Sequence, residues 1–189
     1  MTMQRIISVI FLTLLLYPTN LADANSSTQE PSSIEKENPI TCLAKNIYFE
    51  AKSESFAGQA AVALVVLNRV QDKRFPDEVC KVIYEGPHYE SWKTRAISDL
   101  PKEERVYYPR RDRCQFSWYC DGKSDNPKEE SAYEQAHRVA WLVLNGHLFD
   151  FTQGATHYHA VYVDPAWSKH PDVKRIVRID NHIFYHWHE

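Results

Sequence analysis

This chain lacks the features that mark several large classes of protein. Its formal net charge is −3 over 189 residues, so Lys and Arg are not in the excess that nucleic-acid binding requires. No two cysteines are spaced as C-x-x-C, which argues against a zinc site, and no segment is repeated. Beyond residue 16, no apolar stretch is long and isolated enough to predict a transmembrane helix. We therefore expect one globular domain.

The N-terminus has the pattern of an export signal. A positive charge lies within Met1 to Arg5, an apolar run of 11 residues follows from Ile6 to Leu16, and Ala22-Asp23-Ala24 is an A-x-A cleavage site. The run is short for a membrane span, although an uncleaved anchor is the alternative. The sequence predicts a periplasmic or secreted protein divided into a signal peptide at 1–24, a flexible linker at 25–39 and a folded domain at 40–189.

All four cysteines lie in the exported part of the chain. An even number in an oxidising compartment predicts two disulfides, and three pairings of Cys42, Cys80, Cys114 and Cys120 are possible. The short spacing of Cys114 and Cys120 favours a local loop between them. Cys42 would then tie the first helix to Cys80, after the second helix.

Apolar periodicity predicts three main helices. The first runs from about Thr41 to Ala51, and the second, apolar on all sides and so buried, from about Phe56 to Val70. In the third, Asn126 is a candidate N-cap, Pro127 fits the first turn, and Asn145-Gly146 ends the helix.

The remaining segments predict less regular structure and a few strands. Glu85 to Arg113 is polar and predicts a long irregular arm, with one short helix near Pro101 to Val106. His157 to Tyr162 alternates as a strand does, and Arg175 to Ile179 pairs with His182 to Tyr185 as a hairpin around Asp180-Asn181. The fold class is therefore α+β: compact, mainly helical, with a small C-terminal antiparallel β element.

One carboxylate falls on the apolar side of the first helix. Leu43, Ile47, Glu50, Ala51 and Glu54 share the spacing of one helical face. Burial among apolar groups raises a carboxyl pKa, and a carboxyl that keeps its proton near neutral pH suits general-acid catalysis. A glutamate at the helix edge that reaches solvent is the alternative. Glu54 is one turn further on and is a candidate second carboxylate, a cap for the second helix, or a surface residue.

Several motifs in the same order resemble the SleB-type cell-wall hydrolase family, the catalytic domain of spore cortex-lytic enzymes. They are Asn46-Ile47-Tyr48-Phe49-Glu50-Ala51, Gly58 to Ala63, Val66 to Val70, Arg74-Phe75-Pro76, Cys114-Gln115-Phe116-Ser117, Gly154 to His159 and His182 to Tyr185. The resemblance covers roughly Thr41 to Tyr185. It implies a lysozyme-like fold, a catalytic domain over 40–189, peptidoglycan glycan strands as substrate, and Glu50 as the catalytic acid. It also implies substrate binding by Gln115, Phe116, Ser117 and Tyr158, and structural roles for Asn68 and Arg69.

The absence of a clear second carboxylate bears on the reaction. Asp121 and Asp164 lie in turn-like contexts, and a lone glutamate suits a lytic transglycosylase, which needs no cofactor and gives 1,6-anhydro products. Alternatives are an N-acetylmuramoyl-L-alanine amidase, which would need zinc, and a non-catalytic peptidoglycan-binding module. His157 and His159 share a strand face, but no third ligand has helpful spacing; His182, His186 and His188 are expected at the surface or in the tail.

Overall fold

The computed structural model describes residues 37–188, in which helices form one core and two small sheets flank it. The five α-helices are α1 Pro39–Ala51, α2 Phe56–Gln71, α3 Val79–Ile83, α4 Trp92–Arg95 and α5 Glu130–Leu144. The strands are β1 His88–Glu90, β2 Tyr107–Pro109, β3 His157–Ala160, β4 Val173–Ile179 and β5 His182–Trp187. The predicted α+β class is confirmed. The predicted signal peptide and most of the linker lie outside the described residues.

Helix α1 starts two residues before its predicted start, because its first turn is capped. The side chain of Asn38 accepts a hydrogen bond from the Ile40 N–H at 2.8 Å, and Pro39 takes the first helical position. Glu37 pairs with Lys45 at 2.6 Å. Residues 37–39, which the sequence assigns to the linker, therefore take part in the first turn of α1 and its contacts.

Helices α1, α2 and α5 pack together around the main core. The apolar run Ala60 to Val66 in α2 is buried, as its all-round hydrophobicity predicts. Leu43 and Ile47 of α1 and Val139 of α5 have no exposed surface. Within residues 37–188, no helix combines the length and the apolarity that crossing a bilayer requires.

The start of α5 was predicted wrongly. Asn126 and Pro127 lie ahead of the helix, which begins at Glu130 with Glu129 in the cap position. The Lys128 and Glu129 N–H groups both donate to the Tyr48 hydroxyl, at 3.1 and 3.2 Å. A contact with α1 therefore determines where the helix begins and overrides the local capping signal.

The arm at residues 85–113 is more ordered than predicted. Strands β1 and β2 pair antiparallel, with Tyr89 opposite Tyr108, and α4 follows β1. A 3₁₀ turn at Lys102–Glu104 lies within the predicted helix at 101–106.

Three antiparallel strands form the C-terminal sheet in the order β3-β5-β4. The predicted hairpin is present, with Asp180 in the left-handed conformation (φ 49°) at its turn. Disulfides join Cys42 to Cys80 and Cys114 to Cys120, the pairing expected from sequence. The first disulfide ties α1 to α3, and the second closes the loop that precedes residue 121.

The hairpin turn docks onto the connection between α1 and α2. A carboxylate oxygen of Asp180 accepts from the Ser55 N–H at 2.8 Å and the Ser55 hydroxyl at 2.6 Å, while Ser55 caps α2. Asn181 donates to Glu54 from its backbone at 3.1 Å and its side chain at 3.2 Å. This junction brings β5 beside the C-terminal end of α1.

The close approach of the hairpin turn depends on Gly58. A Cβ atom at this position would lie 2.5 Å from an Asp180 carboxylate oxygen and 2.8 Å from Glu54 Cβ. Both distances are shorter than van der Waals contact, so glycine is required for the turn to sit where it does.

Candidate active site

A cleft of about 690 Å³ opens beside the C-terminal end of α1. The segment from Ser117 to Glu129 forms one wall, and β3, β5 and the residues after β3 form the other. An adjoining cavity of about 450 Å³ lies toward the Glu54–Asn181 junction. The two cavities share Phe49, Glu50, Lys52, Ala160, Tyr162 and His182. Glu50 therefore lies in the middle of a groove that continues on both sides of it.

Glu50 is half-buried, and among the described residues its carboxyl has one hydrogen-bond partner. The Tyr158 hydroxyl donates a hydrogen bond to Glu50 Oε2 at 3.0 Å. Burial raises the pKa of Glu50, while the Tyr158 hydrogen bond and the positive charge of Arg69 act in the opposite direction without cancelling the rise. A carboxyl with a raised pKa keeps its proton to higher pH than a free glutamate does, and this suits donation to an acceptor in the groove.

The family resemblance implies that Tyr158 binds substrate, and the structure places its hydroxyl against the Glu50 carboxyl. Strand β3 places Tyr158 opposite Phe184 of β5, on the face of the sheet that packs toward the helices. Burial raises the pKa of Tyr158 well above 10, so the hydroxyl stays a neutral donor. The ring also lies edge-on to His182, with centroids 5.2 Å apart.

His182 is the site residue that the sequence interpretation missed. It was expected at the surface, but only 7% of it is exposed, and it lines both cavities beside Glu50. His182 and Phe184 are two residues apart on β5, so they face the same side of the sheet. The spacing of His182 two residues before the apolar Phe184, on the same face of the strand, was the signal in the sequence that His182 is buried.

The three predicted residues of the disulfide loop separate in space. Ser117 is exposed and lines the cleft. Gln115 is exposed but is not part of the cleft wall. Phe116 is 3% exposed and lies in the core with the Arg69 guanidinium 5.3 Å from its ring centroid, so the structure does not bring it to the cleft as the resemblance implied.

The local backbone explains this separation. Ser117–Cys120 forms a 3₁₀ turn, which points successive side chains in different directions. Trp118 points inward, where its ring stacks on Phe49 at 4.8 Å and its indole N–H donates to Asn46 at 3.0 Å. Trp118 and Phe49 also line the cleft, and they supply an aromatic surface that the loop motif alone did not indicate.

Other carboxylates in the groove are held by protein groups. Both oxygens of Glu54 accept hydrogen bonds from Asn181, and Glu54 lies beyond the end of α1 rather than on its face. Asp121 accepts from the Lys123 N–H at 2.8 Å, as in an Asx turn. Glu129 pairs with Lys52 at 2.6 Å. Glu50 differs from all three because its partner is a neutral hydroxyl.

Asn68 and Arg69 act from behind the site. The Arg69 Nε–H donates to the Thr156 carbonyl at 2.8 Å, and the guanidinium packs over Phe75 and Phe116. Asn68 donates to the Ala155 carbonyl at 3.0 Å. Both residues hold the segment that leads into β3, and Arg69 adds a buried positive charge near Glu50 and Tyr158.

The two strand histidines serve packing. His159 shares a hydrogen bond with the Tyr185 hydroxyl at 2.9 Å, and His157 lies between Trp167 and Trp187. Burial lowers the pKa of His157 to about 4. Across residues 37–188, no group of three or more His, Cys, Asp or Glu side chains is arranged to hold a metal ion.

Comparison with known proteins gives consistent matches. A family model described as Cell Wall Hydrolase matches residues 53–185, a range that begins three residues after Glu50. The catalytic domain of the germination-specific lytic transglycosylase SleB from Bacillus anthracis superposes with a TM-score of 0.53 and 27% identity, covering 78% of this chain and 93% of that chain.

Two curated spore cortex-lytic enzymes are similar over shorter stretches. The protein from Bacillus subtilis (strain 168) is 34% identical over 98 residues, which is 43% of this chain and 32% of that protein. The protein from Halalkalibacterium halodurans is 41% identical over 64 residues, which is 34% of this chain and 19% of that protein. The matched segments thus span about a fifth to a third of these relatives.

Proposed function

The chain belongs to the cell wall hydrolase family, and we propose that it cleaves peptidoglycan glycan strands between N-acetylmuramic acid and N-acetylglucosamine as a lytic transglycosylase. The observation that carries the proposal is the half-buried Glu50 carboxyl, which accepts a hydrogen bond from the neutral Tyr158 hydroxyl at the junction of two cavities. A groove open on both sides of the acid suits a polymer that extends in both directions from the broken bond.

The reaction needs one residue in two roles. Protonated Glu50 gives its proton to the glycosidic oxygen as the bond to muramic acid C1 breaks, which releases the 4-hydroxyl of N-acetylglucosamine. The muramic acid 6-hydroxyl then bonds to C1 and gives its proton to the Glu50 carboxylate. The acid is restored, and the product is a 1,6-anhydro sugar formed without water.

The surroundings of Glu50 favour this route over a two-carboxylate hydrolase. A conventional muramidase needs a second carboxylate as nucleophile or as base for water. Glu54 shares the groove, but both of its oxygens are bonded to Asn181 at the hairpin junction. Tyr158 instead gives Glu50 a donor that stabilises the carboxylate after the first proton transfer.

The other two candidate functions have less support. An amidase would require a zinc site, and within the described residues the histidines of β3 are already engaged with aromatic partners. A non-catalytic binding module would not need a buried, proton-holding carboxyl. For the compartment, we propose the periplasm or the cell exterior, because two disulfides are stable where the environment is oxidising.

Digestion of purified sacculi in water enriched in heavy oxygen tests the reaction type. We expect 1,6-anhydro muropeptides without label at the anomeric carbon. Labelled reducing ends as the main product would refute the transglycosylase reaction but retain Glu50 as acid. Intact glycan with freed peptides would contradict glycan cleavage altogether.

Substitution tests the assignment of Glu50. Glu50→Gln should keep the fold and lower the rate by about 10²–10⁴-fold, because the amide cannot donate the proton. Glu54→Gln is the matched control from the same groove and should lose much less. A folded Glu50→Gln variant that solubilises sacculi at near the parent rate would refute the assignment.

A further inference from the structure

The imidazole of His182 is buried in the wall of the groove without a hydrogen-bond partner. Only 7% of the residue is exposed, and Nδ1 is fully enclosed and unbonded. Within residues 37–188, neither ring nitrogen of His182 forms a hydrogen bond. An unbonded buried polar group is costly, and native proteins rarely keep one without a reason.

The position of the ring relates it to the acid. His182 lines both cavities that contain Glu50, and its ring lies at 89° to the Tyr158 ring, which bonds Glu50. The backbone register pairs His182 with Ala160, which also lines both cavities. The imidazole is therefore held by β5 against the part of the groove where a bound sugar would meet Glu50.

The enclosed nitrogen decides where the proton resides. A buried N–H at Nδ1 would have no acceptor, whereas an unprotonated Nδ1 leaves only a lone pair unused. The neutral tautomer with the proton on Nε2 is favoured for this reason. Burial lowers the pKa of His182 and His159 lowers it further, while the charges of Glu54 and Asp180 raise it without restoring its usual value. The ring is neutral near pH 7.

We propose that His182 is a substrate-binding residue whose Nε2–H donates a hydrogen bond to an amide carbonyl oxygen of the bound glycan, namely that of an N-acetyl group. This inference rests on the proposed function, because it takes the groove to hold a peptidoglycan strand. Each sugar of an unmodified strand carries one N-acetyl group, and the carbonyl of that group accepts hydrogen bonds more strongly than the ring or glycosidic oxygens. A neutral donor suits this acceptor, since no charge is left buried when the sugar covers the ring.

The test uses the full domain with Glu50→Gln, so that bound glycan is not cut. Long-range nitrogen–proton NMR reports the tautomer of each histidine ring, and loss of one signal in a His182→Leu variant assigns His182. The probes are peptide-free glycan strands, the same strands after N-deacetylation, and free stem peptide, which also contains amide carbonyls. We expect Nε2 to be protonated and its signal to shift with acetylated strands only.

Affinity for the acetylated strands gives the second measurement. His182→Leu should weaken binding roughly tenfold, the effect of one hydrogen bond in a buried site. His182→Gln keeps an amide donor near the Nε2 position and should recover part of the loss. His170→Leu is the matched control, because His170 is an exposed imidazole beside Asp172 and outside the groove.

Several outcomes would overturn the inference. These are a proton on Nδ1, a signal that does not shift with acetylated glycan, a signal that shifts with stem peptide instead, or equal weakening of acetylated and deacetylated strands by His182→Leu. The NMR measurement on His182 in the protein that carries only Glu50→Gln tests the inference even if a His182 variant misfolds. Failure of the proposed reaction would appear separately, as wrong products or as cleavage by the Glu50→Gln protein.

Discussion

Tyr158 donates a hydrogen bond to Glu50 across 3.0 Å, and this bond joins strand β3 to the end of helix α1. The two residues are 108 positions apart in sequence. The bond fixes the direction of one carboxylate oxygen and leaves the other free to carry a proton into the groove. It also limits the rise in the pKa of Glu50 that burial causes.

Removing this hydroxyl should shift the pH dependence of the reaction. The bond stabilises the charged form of Glu50, so Tyr158→Phe should raise the pKa of Glu50 further. The acid works only while protonated, and activity falls as pH rises through that pKa. We therefore expect the alkaline limb of the pH–rate profile to move to higher pH, with a lower maximum rate. Tyr185→Phe is the control, because it removes a hydroxyl from the opposite face of the sheet and should leave the alkaline limb in place. A shift of the limb to lower pH in Tyr158→Phe would contradict the role of Tyr158 as a donor to the Glu50 carboxylate.

Neutralising Glu50 should stabilise the protein above mildly acidic pH. The folded-state pKa lies above the ordinary value of 4.5, so the unfolded chain ionises first as pH rises. The folded state then binds more protons, and stability falls from about pH 4.5 up to the folded-state pKa. In Glu50→Gln, stability does not fall with pH for this reason. Its free energy of unfolding should exceed that of the parent at pH 7, and the difference should shrink toward zero below pH 4.5.

Urea unfolding at a series of pH values measures this difference. Glu134→Gln, at an exposed position on α5, subtracts the general effect of removing one carboxylate. A constant difference between Glu50→Gln and the parent at all pH values would contradict a raised pKa of Glu50 in the folded state.

A methyl group at position 58 should disturb both stability and activity. The added Cβ would lie 2.5 Å from the Asp180 carboxylate, so the hairpin turn must move away. We expect Gly58→Ala to cost about 1–3 kcal/mol, the usual range for overpacking, and to slow glycan cleavage because β5 carries His182. Adding Asp180→Gly should recover part of the loss, since glycine suits the φ of 49° and removes the obstructing carboxylate. If the stability losses of Gly58→Ala and Asp180→Gly simply add in the double variant, this account is contradicted.

The two disulfides should contribute in different ways. The Cys42–Cys80 bridge spans 38 residues, and its removal as a double alanine variant should cost about 3–4 kcal/mol of stability in the chain-entropy view. The Cys114–Cys120 bridge spans only 6 residues and should contribute less. It encloses Ser117 and Trp118 of the groove wall, so its removal should lower activity more than stability. Denaturation midpoints measure the loss of stability, and sacculus solubilisation measures the loss of activity. A larger stability loss from removing Cys114–Cys120 than from removing Cys42–Cys80 would contradict this expectation.

Regular periodicity predicted the helical core well. Leu43, Ile47 and Ala51 are buried on one side of α1, as their spacing indicates, and Val139 and Val143 of α5 are buried likewise. The start of α5 was missed because the Tyr48 hydroxyl, from another helix, accepts hydrogen bonds from the Lys128 and Glu129 N–H groups just ahead of the helix. Strands β1 and β2 have three residues each, which is too short for a period of two to be recognised.

The site was predictable only in part. The position of Glu50 on the edge of an apolar face followed from its spacing in α1. The partner of Tyr158 did not, because the contact joins segments that are distant in sequence. Phe116 and Ser117 are adjacent in the chain, and only the 3₁₀ turn decides that one lies in the core and the other in the groove.

The junction of Glu54 and Ser55 with Asp180 and Asn181 has a consequence for the order in which the enzyme is made. Glu50 is synthesised early, whereas Tyr158, His182 and the hairpin turn are synthesised last. Until β3 and the hairpin dock, Glu50 lacks both the Tyr158 hydroxyl and the neighbouring His182 ring. Under the proposed mechanism, a nascent chain without its last strands lacks the surroundings that raise the pKa of Glu50. We therefore expect activity to begin only when the two ends of the domain have met.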